Sequence, residues 1–431
     1  MFKALANIFR VTDLRRKIFF TLLMLIVYRI GTFIPIPGSD SEVLQFQGEA
    51  SAFGFLDTFG GGALGNFSIF AMGVFPYITA SIVVQLLRMD VVPKFTEWSK
   101  QGEAGRRKLA QFTRYFTVVL AFVQALAMSI GFNAQFEGLI PDPGIDTYLL
   151  IALIMTAGTT FLMWLGEQIT AKGVGNGISI MIFAGIAAGI PNGINQIYAT
   201  QIEGAGEELF MGIITVLLLA LAVLLIVTGV VFVQQAIRKV AIQYAKRVVG
   251  RESTAGAQST HLPLKVNSAG VIPVIFAMAL FIFPPTVASF LGEDNAIAQW
   301  VIQNFDYTQP VGAFVYVGLI IAFTYFYTFV QVNPEQMAEN LKKQGGYVPG
   351  IRPGKTTETY IRHILYRLTF VGSLFLATVA IIPVFFTTQL GLPETIQIGG
   401  TGLLIVVGVA LDTMKQIEGQ LIKRSYKGFI K

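Results

Sequence analysis

Residues Leu209–Val233 read LFMGIITVLLLALAVLLIVTGVVFV, 25 positions without a charge. As a helix this run extends about 37 Å, more than the roughly 30 Å hydrocarbon layer of a bilayer. A helix on the surface of a soluble domain keeps a polar face toward water, and this one has none. The run is a membrane span, and its uniform apolarity predicts a lipid-facing scaffold.

Working outward, nine further apolar stretches occur at 18–38, 69–87, 115–132, 148–166, 178–190, 269–291, 311–332, 368–388 and 398–411. Ten spans separate eleven polar pieces. Of the 31 Lys and Arg, 30 fall in the odd-numbered pieces and Arg29 lies inside the first span, which leaves the even-numbered pieces with none. The positive-inside rule then places the odd pieces, and both termini, in the cytoplasm. With 54% hydrophobic and 13% charged residues, the composition excludes a soluble enzyme. The net charge of +6 is concentrated in short loops on one face, where it favours anionic lipids or an acidic partner over direct nucleic-acid readout. There is no Cys, and His261 and His363 lie in separate loops, so neither a metal site nor a cofactor is expected. The apolar run from Ile18 lacks a small-residue cleavage site and reads as the first span, not a removable signal.

Spans five and ten are short and glycine-interrupted, and they take matching positions if the chain is cut near residue 200. Five is odd, so halves 1–200 and 201–431 would be inverted relative to each other. Broken segments at equivalent positions of such halves point to a substrate path, or else to helix packing through small residues. Between spans one and two, FGFLDTFGGGALGNFSIFAMG (53–73) is too apolar for an ordinary loop and reads as re-entrant. Irregular backbone at membrane depth needs a cavity around it, which makes this insert either a mobile stopper or a tight external turn. Gly60, Gly62 and Gly65 match a nucleotide-loop spacing, but no strand precedes them and no Lys completes a phosphate loop.

Val74 and Ile78 stand one helical turn apart, as do Ile178 and Ile182. Such β-branched pairs on facing helices are either plain core or a ring that seals a pore by dewetting. No span carries Asp or Glu near its middle, where an ion-coupled carrier would usually need one. The basic loops 234–268 and 333–367 mix Pro, Gly, aromatic and charged residues, with strand-like alternation flanking Arg247. They suit docking of a large cytoplasmic partner, with a solvated basic surface as the alternative.

The strings RIGTFIPIPG (29–38), GGALGNFSIFAMGVFPYITASIVVQLL (61–87), GEAGRRKLAQFTRY (102–115), GVGNGISIMIFAGI (173–186), HLPLKVNSAGVIPVIFA (261–277) and GYVPGIRPGKTTETYI (346–361) resemble the SecY/Sec61-alpha family of protein-conducting channels. The resemblance covers all ten spans. It implies an all-α integral membrane protein whose ten helices form two pseudo-symmetric inverted halves, closing like a clamshell around an hourglass channel. It implies a channel for unfolded secretory polypeptides, with lateral release of signal peptides and transmembrane segments into the bacterial cytoplasmic membrane. It further implies a waist ring of Val74, Ile78, Ile178, Ile182, Ile275 and Ile405. The family's ring is rich in isoleucine, so Val74, one methylene smaller, puts the tightness of the seal there in question. The insert from about Leu56 to Phe67, with Phe59, Gly60, Gly61, Gly62 and Leu64, matches the plug. Gln85 and Asn267 fall at a lateral gate between the second and seventh helices, and Arg247 and Arg352 in the docking loops. Implied partners are the SecE and SecG subunits, the SecA motor ATPase, the ribosome, and signal peptides and preproteins. The runner-up class is an inverted-repeat secondary transporter of a small solute.

Overall fold

The computed structural model describes residues 11–40, 43–44, 57–88, 92–136, 138–203, 209–244, 259–289, 295–306, 309–390 and 395–427. Leu56 and Arg247 lie outside the described residues. Each of the ten apolar segments carries one helix: α1 (Thr12–Gly31), α2 (Phe75–Leu87), α4 (Glu103–Gln135), α5 (Ile145–Lys172), α6 (Gly177–Tyr198), α7 (Leu209–Gln235), α8 (Ile272–Ser289), α10 (Pro310–Gln331), α12 (Lys355–Leu390) and α13 (Thr395–Lys427). Among the described residues three shorter helices lie between them: α3 (Pro93–Lys100), α9 (Ala296–Asn304) and α11 (Pro334–Lys343).

Several helix ends differ from the apolar boundaries. The first segment turns non-helical after Gly31, because Pro35 and Pro37 remove donors and clash with a preceding turn. The second becomes helical only at Phe75, with Pro76 in the first turn, where a missing N–H costs nothing. The apolar cores of spans five and ten are short, but their helices are not. α6 continues past the expected end at 190, through Pro191, to Tyr198 and a π-helical turn at Ala199–Glu203. α13 runs for 33 residues into a polar tail. Hydropathy marks the part of a helix in lipid, not the helix.

Packing follows the two sets of five. In the first, α1 lies on α5, α2 on α4, α4 on α5, and α5 on α6. In the second, α8 lies on α10, α10 on α12, and α12 and α7 on α13. Between the sets, α2 packs on α8 and α6 on α13. One large apolar cluster runs through both sets, and a second, including Phe132, Met155 and Ile151, lies within the first.

The two long basic loops depart from the all-helical pattern. β1 (Ile237–Tyr244) pairs antiparallel with β2 (Ser259–Lys265), setting Ile237 opposite Lys265 and Gln243 opposite Ser259. On its other edge β1 pairs with β3 (Gly346–Tyr347), so both loops share one three-stranded sheet. Val240 and Ile242 alternate inward onto Leu341 of α11 and Ile361 and Leu365 of α12, which locks the sheet to the end of α12.

Candidate functional site

At the centre of the molecule Val74 and Ile78 from the start of α2, Ile182 from α6, Ile275 from α8 and Ile405 from α13 are buried in one apolar cluster. Pro76 sets the direction of α2 at this point, and the one-turn spacing brings Val74 and Ile78 to the same side. Val74, Ile78, Ile182 and Ile275 line a void of about 10 Å³ together with Tyr28, Phe59, Phe75, Met181 and Met278. That is room for at most about one water. Ile178, one turn before Ile182, is half-buried and packs against the same cluster. Its Cδ1 would lie 2.5 Å from a methyl placed on Gly166, so it leans toward α5.

Met181 and Met278 were absent from the sequence reading. The signal was present in their positions, next to Ile182 and three residues after Ile275. Their unbranched thioethers fill an irregular gap and yield easily.

The glycine-rich insert closes one side of this void. Phe59 belongs to the central cluster, while Leu64 and Phe67, both without solvent exposure, belong to the second cluster. Gly61 (φ +70°) and Gly62 (φ +83°) take left-handed turns that a side chain would strain. The turn is held from within: the Gly62 N–H donates to the Asp57 carbonyl at 2.9 Å, and the Gly65 N–H donates to Asp57 Oδ1 at 2.7 Å. It is held from outside by the Ile36 N–H donating to the Phe67 carbonyl at 3.0 Å and Asn66 Nδ2 donating to the Thr32 carbonyl at 3.1 Å. Tyr28 Oη donates to the Gly60 carbonyl at 2.8 Å, and Arg29 Nη1 donates to the Gly61 carbonyl. Sequence reading noticed Arg29 but had no partner for it, since the partner lies 32 residues away.

On α2, Gln85 Nε2 donates to Ser81 Oγ at 3.3 Å, and just before α8, Asn267 Nδ2 donates to the Gly270 carbonyl at 2.9 Å. Among the described residues no hydrogen bond joins the two, and Gln85 Oε1 and Asn267 Oδ1 are both buried without a protein partner. A buried unpaired carbonyl is costly, so both side chains carry unused acceptor capacity. Arg352 lies in the turn that leads from β3 into α12; Thr357 Oγ1 donates to its carbonyl at 2.9 Å, and its side chain is exposed.

A family model described as SecY matches residues 68–414. The protein translocase subunit SecY of Halalkalibacterium halodurans is 75% identical over 431 residues, covering all of both chains. That of Bacillus subtilis is 66% identical over 432 residues, again covering both in full. A solved protein-conducting channel, 20% identical, superposes with a TM-score of 0.65 over 97% of this chain and 95% of its own, and shares the fold.

Proposed function

The chain belongs to the SecY family, and on that footing we propose that it is a protein-conducting channel of the bacterial cytoplasmic membrane, with both termini cytoplasmic. The observation that carries this reading is the waist: aliphatic residues of α2, α6 and α8 converge on a void of about 10 Å³ that a glycine-rich insert covers, and Ile405 of α13 packs in the same apolar cluster. A polypeptide in transit brings charges and unpaired amides that cost several kcal/mol each in hydrocarbon. A thin aliphatic constriction between two wet funnels avoids that cost without selecting sequence. Val74, Ile78, Ile178, Ile182, Ile275 and Ile405 form the gasket, 57–67 the described part of the plug, and the α2–α8 seam the lateral gate. An apolar signal helix entering the seam binds the parted state better than the closed one, and so shifts the equilibrium toward opening.

The halves 1–200 and 201–431 move as the two jaws, with the connection between α6 and α7 as their hinge. The shared sheet makes the two basic loops a single docking body for the SecA motor or the ribosome, with Arg247 and Arg352 as its contact cations. SecE and SecG complete the membrane complex, and anionic lipids cover the basic face.

The test is co-reconstitution of the full chain with the small translocase subunits and the motor ATPase in proteoliposomes, read as ATP-dependent protease protection of a signal-bearing preprotein. Protection is expected, and Arg352→Glu should abolish it while folding is retained. No protection with folded chain and active motor would favour a small-solute carrier instead. In the same vesicles Ile405→Asn should wet the waist, raising resting ion leak and relaxing signal-peptide dependence; unchanged leak would remove Ile405 from the gasket.

A further inference from the structure

Arg29 is the only Asp, Glu, Lys or Arg within the ten apolar segments, and neither the waist nor the docking loops use it. It follows Tyr28 on α1, and the two side chains reach consecutive main-chain carbonyls of the insert. Tyr28 Oη donates to the Gly60 carbonyl at 2.8 Å, and Arg29 Nη1 donates to the Gly61 carbonyl. The guanidinium lies over the Phe33 ring with Cζ 4.7 Å from its centroid, which fixes the fork in direction. Against the same turn α6 presents bare backbone: a Cβ on Gly185 would come within 2.5 Å of the Phe59 carbonyl oxygen. A Cβ on Gly61 would meet Arg29 Nη1 and Gly185 Cα, both at 3.1 Å. The glycine turn is therefore clasped between two donors on α1 and a glycine on α6.

We propose that Tyr28 and Arg29 are a latch on the plug, positioning residues that hold it seated through main-chain carbonyls and must both let go before the channel opens. This rests on the channel reading. The carbonyl acceptors put the grip on the main chain, the Asp57 carboxylate of the insert is close enough to add a charge attraction to Arg29, and a guanidinium at membrane depth cannot give up its acceptor until water replaces it. Water reaches Arg29 once the waist opens, so release is coupled to opening. Because both donors stand on a helix that packs on α5, they stay in place to recapture the plug.

The chain has no Cys, so a Thr58→Cys, Gly189→Cys pair would be its only thiols. A Cβ on Gly189 stands 3.8 Å from Thr58 Cγ2, within reach of a disulfide when the plug is seated. In the reconstituted full complex, Arg29→Met should slow oxidation of this pair in the resting channel and raise resting ion leak about tenfold, the scale of one charge-assisted hydrogen bond. Tyr28→Phe should do the same about threefold, and Arg29→Lys should recover part of the Arg29→Met effect. Oxidising the pair in the Arg29→Met background should return the leak to its resting level, which general packing damage would not allow. Unchanged oxidation and leak in both Arg29→Met and Tyr28→Phe would overturn the latch, as would a raised leak that the disulfide fails to close. Preprotein transport by the unsubstituted chain is the control: its loss would strike the channel reading, whereas these outcomes in a transporting channel strike only the latch.

Discussion

Helices α5 and α7 are nearly equal in length, 28 and 27 residues, yet the more apolar of the two is the less buried. α7 buries Gly212, Val230 and Gln234 alone and exposes leucines along most of its length. α5 buries Ala152, Thr156, Gly158, Thr159 and Gly166 along with its larger residues. In lipid a leucine gains little by leaving acyl chains for other leucines, so apolarity puts a helix in the membrane without deciding its neighbours. Small residues decide them by letting backbones approach. Gly158 faces the Ile69 carbonyl so closely that a methyl would sit 1.9 Å from it. A methyl on Gly177 of α6 would sit equally close to the Gly166 carbonyl. Thr156 and Thr160 return their hydroxyls to their own helix, Thr156 Oγ1 donating to the Ala152 carbonyl at 2.6 Å and Thr160 Oγ1 to the Thr156 carbonyl at 2.7 Å. They pack as small apolar groups.

The contrast can be broken most severely at Gly158. Gly158→Leu would drive a side chain into a backbone carbonyl that cannot yield, and a loss of more than about 3 kcal/mol is expected, read as failure to purify a folded chain or a large fall in Tm. A variant melting with the parent would refute the small-residue account of α5. Gly166→Ala is a milder probe, because the tightest contact of its methyl would be the side-chain end of Ile178, 2.5 Å away, with the Ile178 backbone nitrogen at an ordinary 3.5 Å. A cost of about 1–2 kcal/mol is expected, with Ile178 displaced toward the waist and a measurable change in resting conductance. A stability change without a conductance change would detach Ile178 from the gasket. The smallest effect belongs to α7: Leu221, 59% exposed, should tolerate Leu221→Ala within about 0.5 kcal/mol and without effect on transport. A larger loss would mean that a protein surface, not lipid, covers that face.

The same contrast explains what was legible beforehand. The ten segments could be read because a run of apolar residues long enough to cross a bilayer has few other uses. Their helical limits could not, since apolar residues serve irregular backbone as well as helix. Residues 32–38 and 69–74 proved to border the glycine-rich insert in irregular backbone, where Pro35 bridges to Ser68 and Phe67 takes a positive φ of 40°. Waist residues one turn apart on a single helix were visible in their spacing. Ile275 and Ile405 came from resemblance, because local spacing carries no information about which helices face one another. Strand-like alternation near Arg247 correctly suggested extended backbone at β1. Nothing local indicated that β1 would also pair with β3, about a hundred residues on.

By itself, then, the sequence determined the ten apolar segments that carry the long helices, the confinement of the basic residues to alternate connecting pieces, the presence of a glycine-rich apolar insert, and, through its motifs, the family. Each follows from a local quantity: length against bilayer thickness, charge against position, glycine against backbone freedom. Only the tertiary structure decided that residues of α2, α6 and α8 pack around a void of about 10 Å³, that the two basic loops share one sheet, and that the lone charge in the apolar segments grips a main-chain carbonyl of the insert. These depend on small-residue contacts and directed hydrogen bonds between segments far apart in the chain, which hydropathy does not record.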